Sequence, residues 1–140
     1  MSDRPILYSF WRSSTSYRVR IALNLKGIAY ETVAVNLEAN GGEHHRASYR
    51  RLNPEQMVPV LSDGGRVIRQ SLAIIEYLDA RHAQAPLLIP REPLAAAQVR
   101  GLALTIACDV QPFGPARVLG YLERTFGANE AQRQAWMRHW

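Results

Sequence analysis

The chain has 140 residues, 47% of them apolar, and a net charge of +5, which fits one globular domain or one small domain with part of a second. Its one cysteine, Cys108, excludes an internal disulfide framework and single-chain dithiol chemistry, and fits a reducing, cytoplasmic setting. The N-terminal residues carry no secretory h-region, and no apolar run reaches the roughly 20 residues that span a bilayer, so no membrane is expected.

The charge comes from scattered arginines, with Lys26 the single lysine. No basic stripe interleaves with aromatics, so small carboxylates rather than nucleic acid are the expected anions.

Residues 6–10 form a short apolar run that predicts a buried strand. Ser13-Ser14-Thr15-Ser16 follows, and Ser14 or Ser16 is expected to cap a helix that runs to Lys26 and stops at Gly27. Residues 30–35 alternate and are β-branched, which predicts a second strand and a right-handed parallel βαβ unit. A loop at 40–42 and a short helix over 43–51 come next. Two strands, 58–61 and 66–68, flank the turn 62–65, and a helix over 71–81 presents Leu72, Ile75 and Leu78 on one face. This order, βαβαββα, is the thioredoxin-like α/β arrangement.

The prolines at 86, 90 and 93 mark a linker. The expected division is a thioredoxin-like domain over 1–84, a linker over 85–92 and a partial helical domain over 93–140. The helical period from Leu94 through Ile106 is broken by Pro112 and Pro115, and Asn129 caps a last helix through Trp136 and Trp140. Cys108 is expected to be buried and inert on the helix that carries it.

Three sites carry chemistry. Four hydroxyls crowd a strand-to-helix junction, where free N–H groups and the helix dipole favour an anion. Without the Gly-rich cradle of a phosphate loop, such a cluster suits a thiolate better. Val58-Pro59 opens a strand where a thioredoxin arrangement carries a cis X–Pro bond, which turns Val58 toward an extended peptide-like ligand. Gln70-Ser71 sits at another helix start, where Ser71 can cap the helix or hold a carboxylate. His44 and His45 have no companions at metal-ligand spacing.

The stretches Ser13–Leu23, Leu52–Leu61 and Gln70–Leu78 together make the chain similar to zeta-class glutathione transferases of the maleylacetoacetate isomerase family. That resemblance implies a thioredoxin-like glutathione-binding domain followed by an all-α domain, here incomplete. It implies glutathione as cofactor, with Ser14 and Thr15 at its sulfur, and Val58 and Pro59 at its cysteinyl backbone. Gln70 and Ser71 fall at its γ-glutamyl carboxylate, His44 and Gln56 at its glycyl end, and Gln111 reaches it from the helical domain. Thr15 stands where the family commonly has cysteine. With Trp11-Arg12, Cys108-Asp109-Val110 and Tyr121–Gly127, it resembles the maleylpyruvate isomerase branch, in which Arg12 and Arg117 would hold substrate carboxylates. Gly114-Pro115-Ala116 departs from the more polar residues of that branch.

The implied reaction is cis–trans isomerisation of a maleyl keto acid, through addition and loss of the glutathione thiolate. Its substrate is a small dicarboxylate and its expected assembly a homodimer. Family members continue through further helices, so a truncated chain is expected. The alternatives are a glutathione-binding or dimerisation module without isomerase activity, or a general glutathione transferase.

Overall fold

The computed structural model describes residues 4–84 and 86–140. Two compact units divide the chain, residues 1–88 and 89–140.

The first unit is built on β1 (Ile6–Ser9), α1 (Ser14–Leu25), β2 (Glu31–Ala34), α2 (Ala47–Leu52), β3 (Val60–Asp63), β4 (Arg66–Arg69) and α3 (Ser71–Arg81). The sheet order is β2-β1-β3-β4, with β1 parallel to β2 and antiparallel to β3, and β3 antiparallel to β4. Side chains alternate across a strand, so neighbours face opposite layers. Leu7 and Leu61 join Val19, Leu23, Ile74 and Leu78 from α1 and α3 in one fully buried layer. Tyr8 and Val60 join Phe10, Val35, Tyr49 and Val58 in the other, with Leu52 from α2. Truncating one of the buried leucines to alanine costs about 2–5 kcal/mol.

Several local expectations shift. The α1 cap is Ser13, whose Oγ accepts from the Ser16 N–H at 3.2 Å, rather than Ser14 or Ser16. Ser16 instead turns its hydroxyl into the core, fully buried and without a hydrogen-bond partner. An unpaired buried hydroxyl costs about 1–3 kcal/mol. Ser16→Ala is therefore expected to raise stability by about 1 kcal/mol or more, read as a higher urea midpoint at unchanged m-value; a lower midpoint would refute this. Gln70, with φ +67, precedes α3 and makes no side-chain cap, so Ser71 is the first helical residue rather than the cap. The buried face of α3 runs through Ile74, Leu78 and Asp79, while Leu72 and Ile75 are half-buried. Segment 43–51 divides into a 3-10 turn, Glu43–His45, and α2.

The second unit comprises α4 (Pro93–Leu104), a π-helical turn (Thr105–Val110), a 3-10 turn (Gln111–Phe113), α5 (Ala116–Phe126) and α6 (Glu130–His139). Glu92 caps α4 through the Leu94 and Ala95 N–H groups, which hold its carboxyl below the usual range. Asn129 and Gln132 form a capping box on α6. The Trp136 indole N–H donates to the Phe113 carbonyl at 2.7 Å, and Trp140 stacks on Phe113. Ala96 is the buried apolar residue of this unit, whereas Leu94, Leu102, Ile106 and Phe126 are exposed. Cys108 is exposed, contrary to its expected burial.

By length and composition the helical run Pro93–Phe126 is apolar enough to cross a membrane. Charged residues, Arg100, Asp109 and Arg117 among them, interrupt the run, so no unbroken apolar stretch marks it in the sequence.

Candidate active site

Topology gathers three segments at one end of the sheet. Tyr8 pairs with Val60, so the exit of β1 lies beside the entrance of β3. Val60 pairs with Arg69, so the exit of β4 lies there too. The loop 10–13 with the start of α1, the Val58-Pro59 bond and the start of α3 therefore share that end.

The hydroxyl cluster is an ordered relay. The Ser16 N–H donates to Ser13 Oγ, Ser13 and Thr15 hydroxyls lie 2.7 Å apart, and the Thr15 hydroxyl donates to the Val58 carbonyl at 3.1 Å. A hydroxyl carries one proton. Thr15 spends its own on Val58, so the Ser13–Thr15 bond runs from Ser13. Thr15 thus ties α1 to the Val58-Pro59 segment, and the Val58 carbonyl already holds one partner. Ser14 is exposed at the first helical position, and Thr15 is half-buried. The Val58–Pro59 bond is cis, as the sequence predicts.

The approach to Val58 is firmly held. The Tyr49 hydroxyl and the Asn53 amide both donate to the Met57 carbonyl, at 2.7 and 2.8 Å. Burial pushes the Tyr49 phenol above its ordinary range, so it remains a donor. Gln56 has φ +55, and its side-chain oxygen meets His45 Nδ1 at 2.7 Å. Gln70 donates to Glu55 at 2.8 Å. His44 packs on Gly42, where a Cβ would come within 2.3 Å of the ring, so glycine is required there for space as well as for its φ of +92. The buried Nδ1 of His44 lacks a partner, and burial first, then the neighbouring His45, lowers its pKa below 6.5.

Arg12 is exposed, lies over the Trp11 ring and pairs with Glu38 at 2.7 Å. Arg20 steadies this loop from below, donating to Ser9 Oγ at 2.9 Å and to the Trp11 carbonyl at 3.3 Å. Gln111 opens the 3-10 turn of the second unit, and Arg117 lies exposed in the first turn of α5. No group of three or more His, Cys, Asp or Glu able to hold a metal occurs among the described residues.

The structure thus gathers Ser14, Thr15, Val58, Pro59 and Ser71 at one sheet end, with Gln56 and Gln70 on the adjoining segments and His44 on the turn that Gln56 reaches. Sequence reasoning names Ser13 and His45 without giving either a role of its own, and misses Glu38 and Glu55. Ser13 carried a signal, because it precedes the helix by one residue and is itself a good cap. The other three act through partners 11 to 26 residues away, which no local pattern marks.

The family model "Glutathione S-transferase, N-terminal domain" matches residues 7–86. The chain is 50% identical over 135 residues to a probable maleylacetoacetate isomerase of Vibrio cholerae, and 47% identical to a maleylpyruvate isomerase of a Ralstonia species. Each alignment covers 96% of this chain and 62% of the relative, so the chain spans less than two thirds of their length. Among solved structures, a zeta-class bacterial maleylpyruvate isomerase in its holo form superposes with a TM-score of 0.90 at 47% identity. A maleylacetoacetate isomerase of Methylobacterium extorquens with bound malonate and GSH does so with a TM-score of 0.90 at 40% identity. Both superpositions cover 96% of this chain and 62% of the other. The chain belongs to the glutathione S-transferase family, whose N-terminal domain model spans more than half of it.

Proposed function

We propose that this chain provides the glutathione site of a glutathione-dependent isomerase that converts a cis maleyl keto acid to its trans isomer in aromatic-compound breakdown. The observation that carries the reading is the convergence of the α1 start, the Val58-Pro59 segment and the α3 start on one sheet end. The donor set fits the cofactor. Helix starts favour its sulfur and carboxylate anions, and the Val58 backbone suits an extended peptide. The Gln56 amide offers a further polar partner.

When bound, glutathione supplies a thiolate able to add reversibly to an activated double bond. Ser14 donates its hydroxyl to that sulfur, at the positive end of α1, and lowers the thiol pKa. Thr15 acts on Val58 and through it on the cysteinyl backbone. Ser71 and Gln70 take the γ-glutamyl carboxylate, His44 and Gln56 the glycyl end, and Gln111 a further contact. Arg12 and Arg117 take substrate carboxylates, a role suited to the guanidinium fork. The exposed apolar residues of α4 support a homodimer, and the single cysteine supports a cytoplasmic setting.

Absorbance assays with maleylpyruvate and maleylacetoacetate test the reading. Glutathione-dependent turnover of either is the expected result, and the faster substrate names the branch. Glutathione binding without turnover would favour a binding module instead.

Glu38 tunes this site. It holds Arg12 with one carboxylate, so an incoming carboxylate must compete with it. The pair is exposed, so the effect is modest. Glu38→Gln is expected to lower KM for the dicarboxylate by about two- to five-fold at low salt, and by less at high salt. A raised KM would show that Glu38 orients Arg12 rather than competing for it.

A further inference from the structure

Adjacent residues Glu55 and Gln56 reach away from one another. The Glu55 carboxylate goes to Gln70 at the start of α3, and the Gln56 side chain goes to His45 on the turn Glu43–His45. On the proposed glutathione reading, a ligand lying along Val58 has one end at Ser71 and the other at Gln56, which His45 holds.

That second end is rigidly mounted. Glu43 accepts from the Asn36 N–H at 2.8 Å, donates its own N–H to the Asn36 carbonyl at 2.7 Å, and pairs with Arg46 at 3.0 Å. The His45 ring lies 3.8 Å from that of His44, which packs in turn on Gly42. Opposite it, Gln56 holds a left-handed backbone (φ +55) that a non-glycine residue keeps only when its surroundings determine it. Its N–H is tied to the Asn53 carbonyl at 3.0 Å.

The bond between these side chains has a direction. The amide oxygen can only accept, so His45 Nδ1 carries the proton. With its oxygen engaged, the Gln56 amide has its N–H pair left to offer. We infer that His45 is a positioning residue: it fixes the Gln56 amide by its oxygen, so that this site presents N–H donors to the terminal carboxylate of a peptide ligand. The inference rests on the proposed glutathione reading, which puts the γ-glutamyl end at Ser71 and hence the glycyl carboxylate at Gln56.

The test is a pair of calorimetric titrations of the full chain, one with glutathione and one with γ-glutamylcysteine, which lacks the glycyl arm. The wild type is expected to prefer glutathione. His45→Leu narrows that preference by about three- to ten-fold, the worth of one hydrogen bond, and leaves γ-glutamylcysteine affinity unchanged. His45→Asn, which keeps an N–H donor close to the Nδ1 position, restores most of the preference. Gln56→Ala narrows it as His45→Leu does, and the double variant loses no more than either alone. Should His45→Leu fail to fold, His45→Ala, which also removes the donor, takes its place with the same narrowing expected. Equal weakening of both peptides, or an unchanged preference, would overturn the positioning role alone. Wild-type protein that binds neither peptide would overturn the glutathione reading and this role with it.

Discussion

Replacing Lys26 by methionine is expected to lower the stability of the first unit by about 3–5 kcal/mol. Lys26 and Asp79 form a buried ion pair at 2.6 Å between the end of α1 and the last turn of α3. The Lys26 ammonium also donates to the Pro86 carbonyl at 3.0 Å, and Asp79 accepts from the Leu88 N–H at 2.9 Å. One pair of charges thus holds two helices together and ties down the chain that leaves the unit. Methionine matches the apolar stem of lysine but removes the charge that Lys26 sets against the buried Asp79 carboxylate. Desolvating a lone charge is more costly than the pair is favourable, which is why removing one partner is severe. Lys26→Met with Asp79→Leu is expected to recover part of the loss. The unpaired Pro86 carbonyl and Leu88 N–H keep about 1–3 kcal/mol of it. Amide exchange at Leu23, Ile74 and Leu78, all fully buried, reads the global opening of this unit. A loss below about 1 kcal/mol in the single variant would refute the role given to this pair.

The second large effect concerns the α1 hydroxyls, and it separates two residues that sequence alone treats alike. Ser14→Ala is expected to lower kcat/KM of the proposed isomerisation by about a hundred-fold or more, the usual result of removing a donor to a developing anion. It also raises the pKa of the bound thiol. Thr15→Val acts differently, because the Thr15 proton is engaged by Val58. Its loss frees the Val58 carbonyl and strands the Ser13 hydroxyl, so glutathione affinity falls by about ten-fold while the thiol pKa moves little. Rate and pKa measured on both variants check this division. Equal pKa shifts in the two would place both hydroxyls at the sulfur and remove the relay from the explanation.

Much of the fold is legible in the sequence because its signals are local. The alternation in 30–35, the Gly64-Gly65 turn and the proline after Val58 each specify their own geometry, and together they give the element order that the thioredoxin-like sheet follows. The convergence of Ser14, Val58 and Ser71 follows from that order. What the sequence hides is long-range pairing. The four hydroxyls at 13–16 are chemically redundant as caps, so nothing local tells that Ser13 caps, Ser16 is buried and Thr15 reaches 43 residues onward. Lys26 and Asp79 lie 53 residues apart. A lone lysine at a helix end and an aspartate beside Leu78 are the faint trace they leave. The exposure of Cys108 is hidden for another reason: helical periodicity says which face is apolar, and what covers that face depends on other elements.

The central claim is that α1 holds glutathione as a thiolate, and its most direct test is the ultraviolet thiolate absorbance during a glutathione titration at neutral pH. A Cys108→Ser background removes the chain's own thiol from the signal. A saturable thiolate signal is predicted well below the free thiol pKa of about 8.5, with most of it lost in Ser14→Ala. Glutathione bound only as the thiol, or a signal indifferent to Ser14, would contradict the claim.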